Sequence, residues 1–197
     1  MFRRVKGEVL ERERPIPYDA DRSAVEAARR DPRAFEALYR KYVAQVYSFA
    51  LYETRDQHAA EDLTEQVFLH ALRGLPRFRE AGDGPDSTFR VWLFQIARNA
   101  LANDRRWARR HPQAELDDAF AVAAPSDPAE EIAARDLAAR AWSAIDDLPD
   151  DRRRALILRY VEEMSASEIG QVLGRSEGAV RVLVHRALRS VAERLKD

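Results

Sequence analysis

Residues 148–195 read LPDDRRRALILRYVEEMSASEIGQVLGRSEGAVRVLVHRALRSVAERL. The run has the pattern of two short helices joined by a Gly-containing turn, a helix-turn-helix. Ser165 stands three residues before Glu168, the spacing of a capping box, in which a hydroxyl and a carboxylate each satisfy an orphan N–H at a helix start. Ile169, Val172 and Leu173 give that helix an apolar face. Gly174 follows the last apolar position, where a left-handed backbone closes a helix without a Cβ clash. Ser176 is placed to cap the helix that follows. There Val180, Val184, Ala187, Leu188, Val191 and Leu195 recur at three- and four-residue spacing and build one face, leaving Glu177, Arg181, His185 and Arg189 on the other. That polar, mostly basic face is free to enter a major groove, so nucleic acid is the first partner to test. Taken alone, the stretch also reads as a two-helix corner in an ordinary helical protein.

The rest of the chain narrows the choice. At 197 residues, with 46% apolar and 34% charged residues, it suits one large or two small soluble domains. It has no cysteine, which excludes disulfides, thiolate zinc sites and cysteine nucleophiles and fits a reducing compartment. The first residues, MFRRVKGEVLERERP, mix charges with scattered apolar positions, so neither a signal peptide nor a membrane span is expected and the location reads as cytoplasmic. The formal net charge of −1 hides a strong asymmetry. Residues 98–110 carry five arginines against Asp104 alone, whereas residues 111–151 carry eleven acids against Arg135 and Arg140. Local charge, and not the total, sets phosphate affinity and steering.

Along the chain the pattern is helical nearly throughout. Residues 1–22, with Pro15 and Pro17, read as an N-terminal arm. Asp31 followed by Pro32 is a helix start, and Phe35, Leu38, Tyr39, Tyr42, Val46 and Phe49 then mark a long amphipathic helix. The spacing of Ala60, Leu63, Val67, Ala71 and Leu72 predicts another helix over about 57–73, ended by Gly74. REAGDGPDS, residues 79–87, is a loop by turn chemistry. Ser87 is placed to cap a helix with Phe89, Trp92, Leu93, Ile96, Ala97, Ala100 and Leu101 inside, Trp92 and Phe89 being core residues ahead of stacking platforms. This first domain spans 23–110; an acidic linker covers 111–127, and a second domain covers 128–197. Asp127-Pro128 with Glu130 opens that domain's first helix, which carries Ile132, Leu137, Ala141, Trp142, Ile145 and Leu148 into a small core. The expected fold class is all-α, two small helical domains joined by a linker.

With both domains in view, the chain resembles the extracytoplasmic-function (ECF) subfamily of sigma-70-type bacterial RNA polymerase sigma factors. AEDLTEQVFLHALRGLPRFR, residues 60–79, is similar to the segment by which these factors grip the clamp helices of the polymerase largest subunit. STFRVWLFQIARNALANDRRWARR, residues 87–110, resembles the family's promoter-melting and −10-reading helix. Residues 148–188 resemble the part that reads the −35 element. The three motifs cover nearly all the chain after the arm, in the family's order.

The residues carry chemistry of their own. Asp62, Glu65 and Gln66 fall on or near the exposed side of a helix whose Leu63 and Val67 face inward, with Phe68 at the boundary; charge on a helix is most often a solvated face. Arg98, Asn99, Asn103, Arg105 and Arg106 place guanidiniums that neutralise phosphate beside amides that hold an unstacked base. The resemblance implies core-polymerase contacts at Asp62, Leu63, Gln66, Val67 and Phe68; the family more often has Gln then Glu where this chain has Glu65 then Gln66. It implies −10 contacts at Asp86, Ser87, Thr88, Arg98, Asn99, Asn103, Arg105 and Arg106, the loop receiving a flipped base. It implies −35 contacts at Ser176, Glu177, Gly178, Arg181, Val182, His185 and Arg186. Val182 and Leu183 stand where family members often carry Ser and Arg, which leaves thymine-methyl contacts, altered specificity or a protein-facing surface open. The implied partners are core RNA polymerase, through the clamp helices and the flap of the second-largest subunit, promoter DNA, and an anti-sigma factor of the kind that often holds family members. The linker would thread the active-site cleft as a mimic of nascent RNA.

Catalysis is not expected. His58, His70, His111 and His185 are scattered singly, and there is no phosphate-cradling Gly loop, HExxH or nucleophile elbow, so neither metal nor cofactor is called for. The competing readings are a stand-alone helix-turn-helix regulator on duplex DNA, normally dimeric, and a helical interaction protein without DNA.

Overall fold

In a computed structural model the described residues are 21–81, 88–110 and 140–196, with the side chains of 104–110 outside them. The arm through residue 20, the loop residues 82–87 and residues 111–139 lie outside the described set, and with them the expected linker and the capping start at Asp127 and Pro128. All regular structure among the described residues is helical. No described helix is long and apolar enough to cross a membrane.

The first domain begins with α1, Asp21–Arg30, so the last two residues of the expected arm are helical. Asp21 is buried because its carboxylate accepts hydrogen bonds from Lys41 Nζ, at 2.8 Å, and from the Tyr42 hydroxyl. Asp31 accepts from Arg33 N at 2.9 Å and starts a short 3-10 turn with Pro32 in first position, which feeds α2, Phe35–Thr54. A left-handed Arg55 (φ 60°) closes α2, and Asp56 caps α3, Gln57–Gly74, by accepting from Ala59 N at 2.6 Å. Gly74 does not end α3 by a left-handed turn: its φ is −81° and the chain continues into 3-10 geometry. Its missing side chain matters elsewhere, since a Cβ there would stand 3.0 Å from the Trp92 ring.

Helix α4, Phe89–Arg110, crosses this pair. Phe89, Leu93, Phe94, Ala97 and Leu101 fill the core, with Phe94 edge-on to Phe49 at 5.6 Å between ring centres. Phe89 is fully buried, and Trp92 is half-buried against Phe78, so both belong to packing.

The second domain comprises a helical segment α5 over 140–146, α6 Asp150–Leu156 running into a π turn Ile157–Val161, α7 Ala166–Leu173 and α8 Glu177–Arg194. It does not keep its apolar residues to itself. Ile157, Leu158, Met164, Ile169, Val172 and Val180 join one continuous core with α2, α3 and α4, and among the described residues Leu148, Leu156 and Ala187, helped by Ile145, Val184 and Val191, form a separate cluster. Trp142, expected in the second core, instead stacks on Tyr52 of α2 at 4.7 Å and 17°. Leu188, expected on the apolar stripe of α8, is exposed.

Candidate nucleic-acid and polymerase interfaces

Local chemistry holds α7 and α8 in a helix-turn-helix. Ser165 Oγ accepts from Glu168 N at 3.2 Å while the Glu168 carboxylate accepts from Ser165 N at 2.8 Å, a complete capping box. Gly174 adopts φ 67° and ψ 41°, and Ser176 Oγ accepts from Ala179 N at 3.2 Å to start α8. Gly170, which the sequence pattern hides inside an apolar stretch, is the tightest point. Its carbonyl accepts from Arg175 N at 2.8 Å, and a Cβ on it would stand 2.7 Å from the Arg175 carbonyl oxygen. The turn can fold this tightly only around a residue without a side chain.

On α8, Val180 and Ala187 are buried, while Ser176, Glu177, Gly178, Arg181, Val182, His185 and Arg186 are all exposed. Gly178 faces open space. Arg181 pairs with Glu177 at 2.5 Å and Arg189 with Glu193 at 2.9 Å, exposed contacts that a phosphate can displace.

The face of α4 is in a different state. Arg98 Nη1 donates to the Val172 carbonyl at 2.7 Å, at the C-terminal end of α7, and its Nη2 donates to Asn99 Oδ1 at 3.2 Å. Gln95 donates to the Gln171 carbonyl at 2.9 Å. Asn99 and Asn103 are exposed; Arg105 and Arg106 lie in the helix with side chains outside the described set, and Asp86 and Ser87 lie outside it altogether. Thr88 donates from its N–H to Glu80 Oε2 at 2.6 Å and from its hydroxyl to the same oxygen at 2.9 Å. Glu80 thus pins the two ends of the 79–88 loop together, a role that sequence spacing does not reveal.

On α3, Asp62 and Gln66 are exposed, whereas Leu63 and Val67 are fully buried and Phe68 is nearly so. The first two therefore present the surface and the last three shape it from beneath; direct contact by Leu63 or Val67 is corrected to a packing role. Beside them runs an apolar groove of about 580 Å³ between α2 and α3, lined by Tyr39, Val43, Phe68, Leu69 and Leu72. Leu69, three residues after Gln66 on the same outer face, is exposed and is absent from the expected contact set.

Between the domains lies a polar seam. Glu53, whose side chain has no exposed surface, meets Arg154 Nε at 3.1 Å and Arg153 Nη2 at 3.9 Å, while Arg55 pairs with Asp146. Arg90 donates to the Glu162 carbonyl and lies 3.8 Å from Glu168. Burial pushes the Glu162 carboxyl up to about 7, although the Arg90 charge and a hydrogen bond with Ser48 oppose the shift. Burial, and then the charge on Glu162, likewise raise the Tyr52 phenol.

Comparison with known proteins matches this layout. The description "Sigma-70 region 2" fits residues 38–111 and "Sigma-70, region 4" fits residues 138–191. The ECF RNA polymerase sigma factor ShbA of Streptomyces griseus is 36% identical over 70% of this chain and 73% of its own length. The RNA polymerase sigma-H factor of Pseudomonas aeruginosa is 30% identical over 92% of this chain and 96% of its own. The chain belongs to the ECF sigma factors of the sigma-70 family. This sigma factor spans about three fifths of another relative, BldN of Streptomyces coelicolor, with 33% identity over 83% of the chain. Among solved structures, CnrH in complex with the cytosolic domain of CnrY matches with a TM-score of 0.66 and 26% identity over 90% of this sigma factor and 98% of that chain. Members of the family bind core RNA polymerase and promoter DNA in transcription initiation.

Proposed function

We propose that α3 docks this sigma factor on core RNA polymerase through Asp62, Gln66 and Leu69, that α8 reads the −35 element, and that α4 with its preceding loop holds the −10 element. The observation that carries the reading is the free face of α8, where Gly178, Arg181, His185 and Arg186 point away from the buried Val180 and Ala187 and Ser176 caps the helix start. A capped helix with a small residue at its start and cations along one side fits a major groove. In α4, Arg98 with Arg105 and Arg106 would neutralise the backbone while Asn99 and Asn103 hold unstacked bases. The acidic residues of 111–127 would lie in the active-site cleft. The polymerase makes the bonds; this chain supplies recognition and works in the cytoplasm. It is open to capture by an anti-sigma protein, a reading supported by its likeness to CnrH, which was solved in complex with the cytosolic domain of CnrY.

The reading requires the domains to part. Elements named −35 and −10 are centred roughly 25 base pairs apart, about 85 Å of B-form DNA. Helices joined by a 2.7 Å hydrogen bond from Arg98 to Val172 cannot span that length. Core polymerase therefore selects an open form, in which Arg98 exchanges a carbonyl for phosphate.

Run-off transcription from a promoter panel, with core polymerase alone and with the chain added, tests the function. Promoter-specific transcripts that are lost in Arg98→Ala with Arg181→Ala are expected. Tight binding of duplex DNA by the chain alone, with no association with core, returns the reading to a stand-alone regulator.

A further inference from the structure

The centre of the exposed face of α8 is not a cation but a valine. At 3.6 residues per turn, Val182 points within about 30° of the direction opposite the buried Val180 and Ala187. It is 48% exposed, a large fraction for an aliphatic side chain in a well-formed helix. Its neighbours one turn away are Gly178, which offers no side chain and opens onto free space, and the exposed His185 and Arg186. The half-buried Leu183 and the exposed Leu188 lie on other sides of the helix, so Val182 is an isolated apolar spot in a basic surface, with no wider apolar patch around it for a protein partner to cover. The flanking charge selects a polyanion as the occupant. Within a major groove, the apolar group presented by the base edges is the C5 methyl of thymine.

We propose that Val182 is a specificity-determining residue that reads a thymine in the −35 element by contact with its methyl group. The inference rests on α8 being the −35 reader and says what that helix reads at its centre. Gly178 contributes by letting the helix start approach the bases, so that a short, branched side chain reaches the groove floor where a longer polar one would otherwise be needed. The neighbouring cations set affinity through phosphate, and Val182 adds discrimination.

The test uses holoenzyme reconstituted from core polymerase and the full chain. Selection from a promoter library randomised across the −35 element gives the preferred site. Each thymine of that site, on either strand, is then replaced singly by uracil, which keeps every hydrogen-bonding group and removes the methyl. One replacement is expected to weaken binding by wild-type holoenzyme about fourfold, the worth of one buried methyl or methylene group. For Val182→Ala, whose site is exposed and whose fold circular dichroism will check, that replacement should have no effect, and thymine should cease to be enriched at the position. A selected site at which every thymine-to-uracil change affects wild type and Val182→Ala equally overturns the proposal while leaving α8 as the reader. Selection of no −35 sequence at all overturns both.

Discussion

Two helices of this sigma factor are assigned to the promoter, and they stand in opposite conditions. The reading face of α8 is finished and open: its start is capped by Ser176, its back is seated on Val180 and Ala187, and its front meets solvent. The outer face of α4 is covered by the second domain, and Arg98 and Gln95 are bound to the last carbonyls of α7. The end of an α-helix carries partial negative charge and unsatisfied carbonyl oxygens, so it satisfies a guanidinium in much the way that a phosphate does. The closed form thus uses the chemistry that the proposed −10 contact would use. One proposed recognition surface is exposed in the free protein and the other is covered by the second domain.

The strongest way to break the contrast is to remove Glu53. Its carboxylate has no solvent and meets two arginines of the second domain, so Glu53→Ala removes the carboxylate that ties Arg153 and Arg154 to α2, leaves them to Asp150 on their own helix, and weakens the seam by about 3 kcal/mol, more than a hundredfold in the closed-to-open ratio. Small-angle scattering should show an increased radius of gyration, and core polymerase should bind more tightly. An unchanged radius with unchanged core affinity would show that the apolar packing of Val172 and Ile169 holds the domains without help from the ions.

Gly170→Ala attacks the other side of the comparison, the preformed helix-turn-helix. A methyl 2.7 Å from a backbone oxygen forces the turn apart, at a cost of about 1–3 kcal/mol and a fall in Tm of roughly 3–10 °C. Holoenzyme should still assemble through α3 but lose −35 selectivity; wild-type selectivity in this variant would show that the turn relaxes without moving α8.

What the sequence discloses follows the same division. The elements of the helix-turn-helix are legible because each device is local: Ser165 and Glu168 are three residues apart, and Gly174 and Ser176 act on their immediate neighbours. The seam is not. Glu53 and Arg154 are 101 positions apart, and Arg90 and Glu162, which the fold sets side by side, are 72 apart. Periodicity misplaces Leu188 and Trp142 because an apolar stripe says that something covers it and not which domain does so. Gly170 escapes notice because a glycine within an apolar stretch looks neutral unless the returning chain is seen.

Acidity gives a smaller effect on the seam. Because burial raises the Glu162 carboxyl to about 7, the closed chain retains a proton that the unfolded chain has released above the ordinary carboxylate range. The stabilisation is complete below that range and is lost as pH rises through about 7. Tm should therefore fall by about 5 °C across that interval beyond any change in Glu162→Gln, which mimics the protonated form and should be flatter. Parallel Tm profiles for the two proteins would remove Glu162 from the seam's energetics.

The smallest effect sharpens the contrast from the α8 side. Glu177 holds Arg181 at 2.5 Å on an exposed surface, where an ion pair within one helix contributes only about 0.3–0.5 kcal/mol to stability. Glu177→Ala should leave Tm within about 2 °C of wild type. Its effect on DNA is of a different kind: Arg181 no longer has to exchange a carboxylate for phosphate, and a negative charge disappears from the surface meant to approach a polyanion. Promoter binding by holoenzyme should tighten two- to fivefold, with a steeper dependence on salt as one more phosphate is engaged. The corresponding change on α4 behaves otherwise. Arg98→Ala removes a bond that closes the protein together with the proposed promoter contact, so core binding should rise while promoter opening falls. A face that is already open responds to a charge change in one measurement, and a face that is covered responds in two measurements of opposite sign.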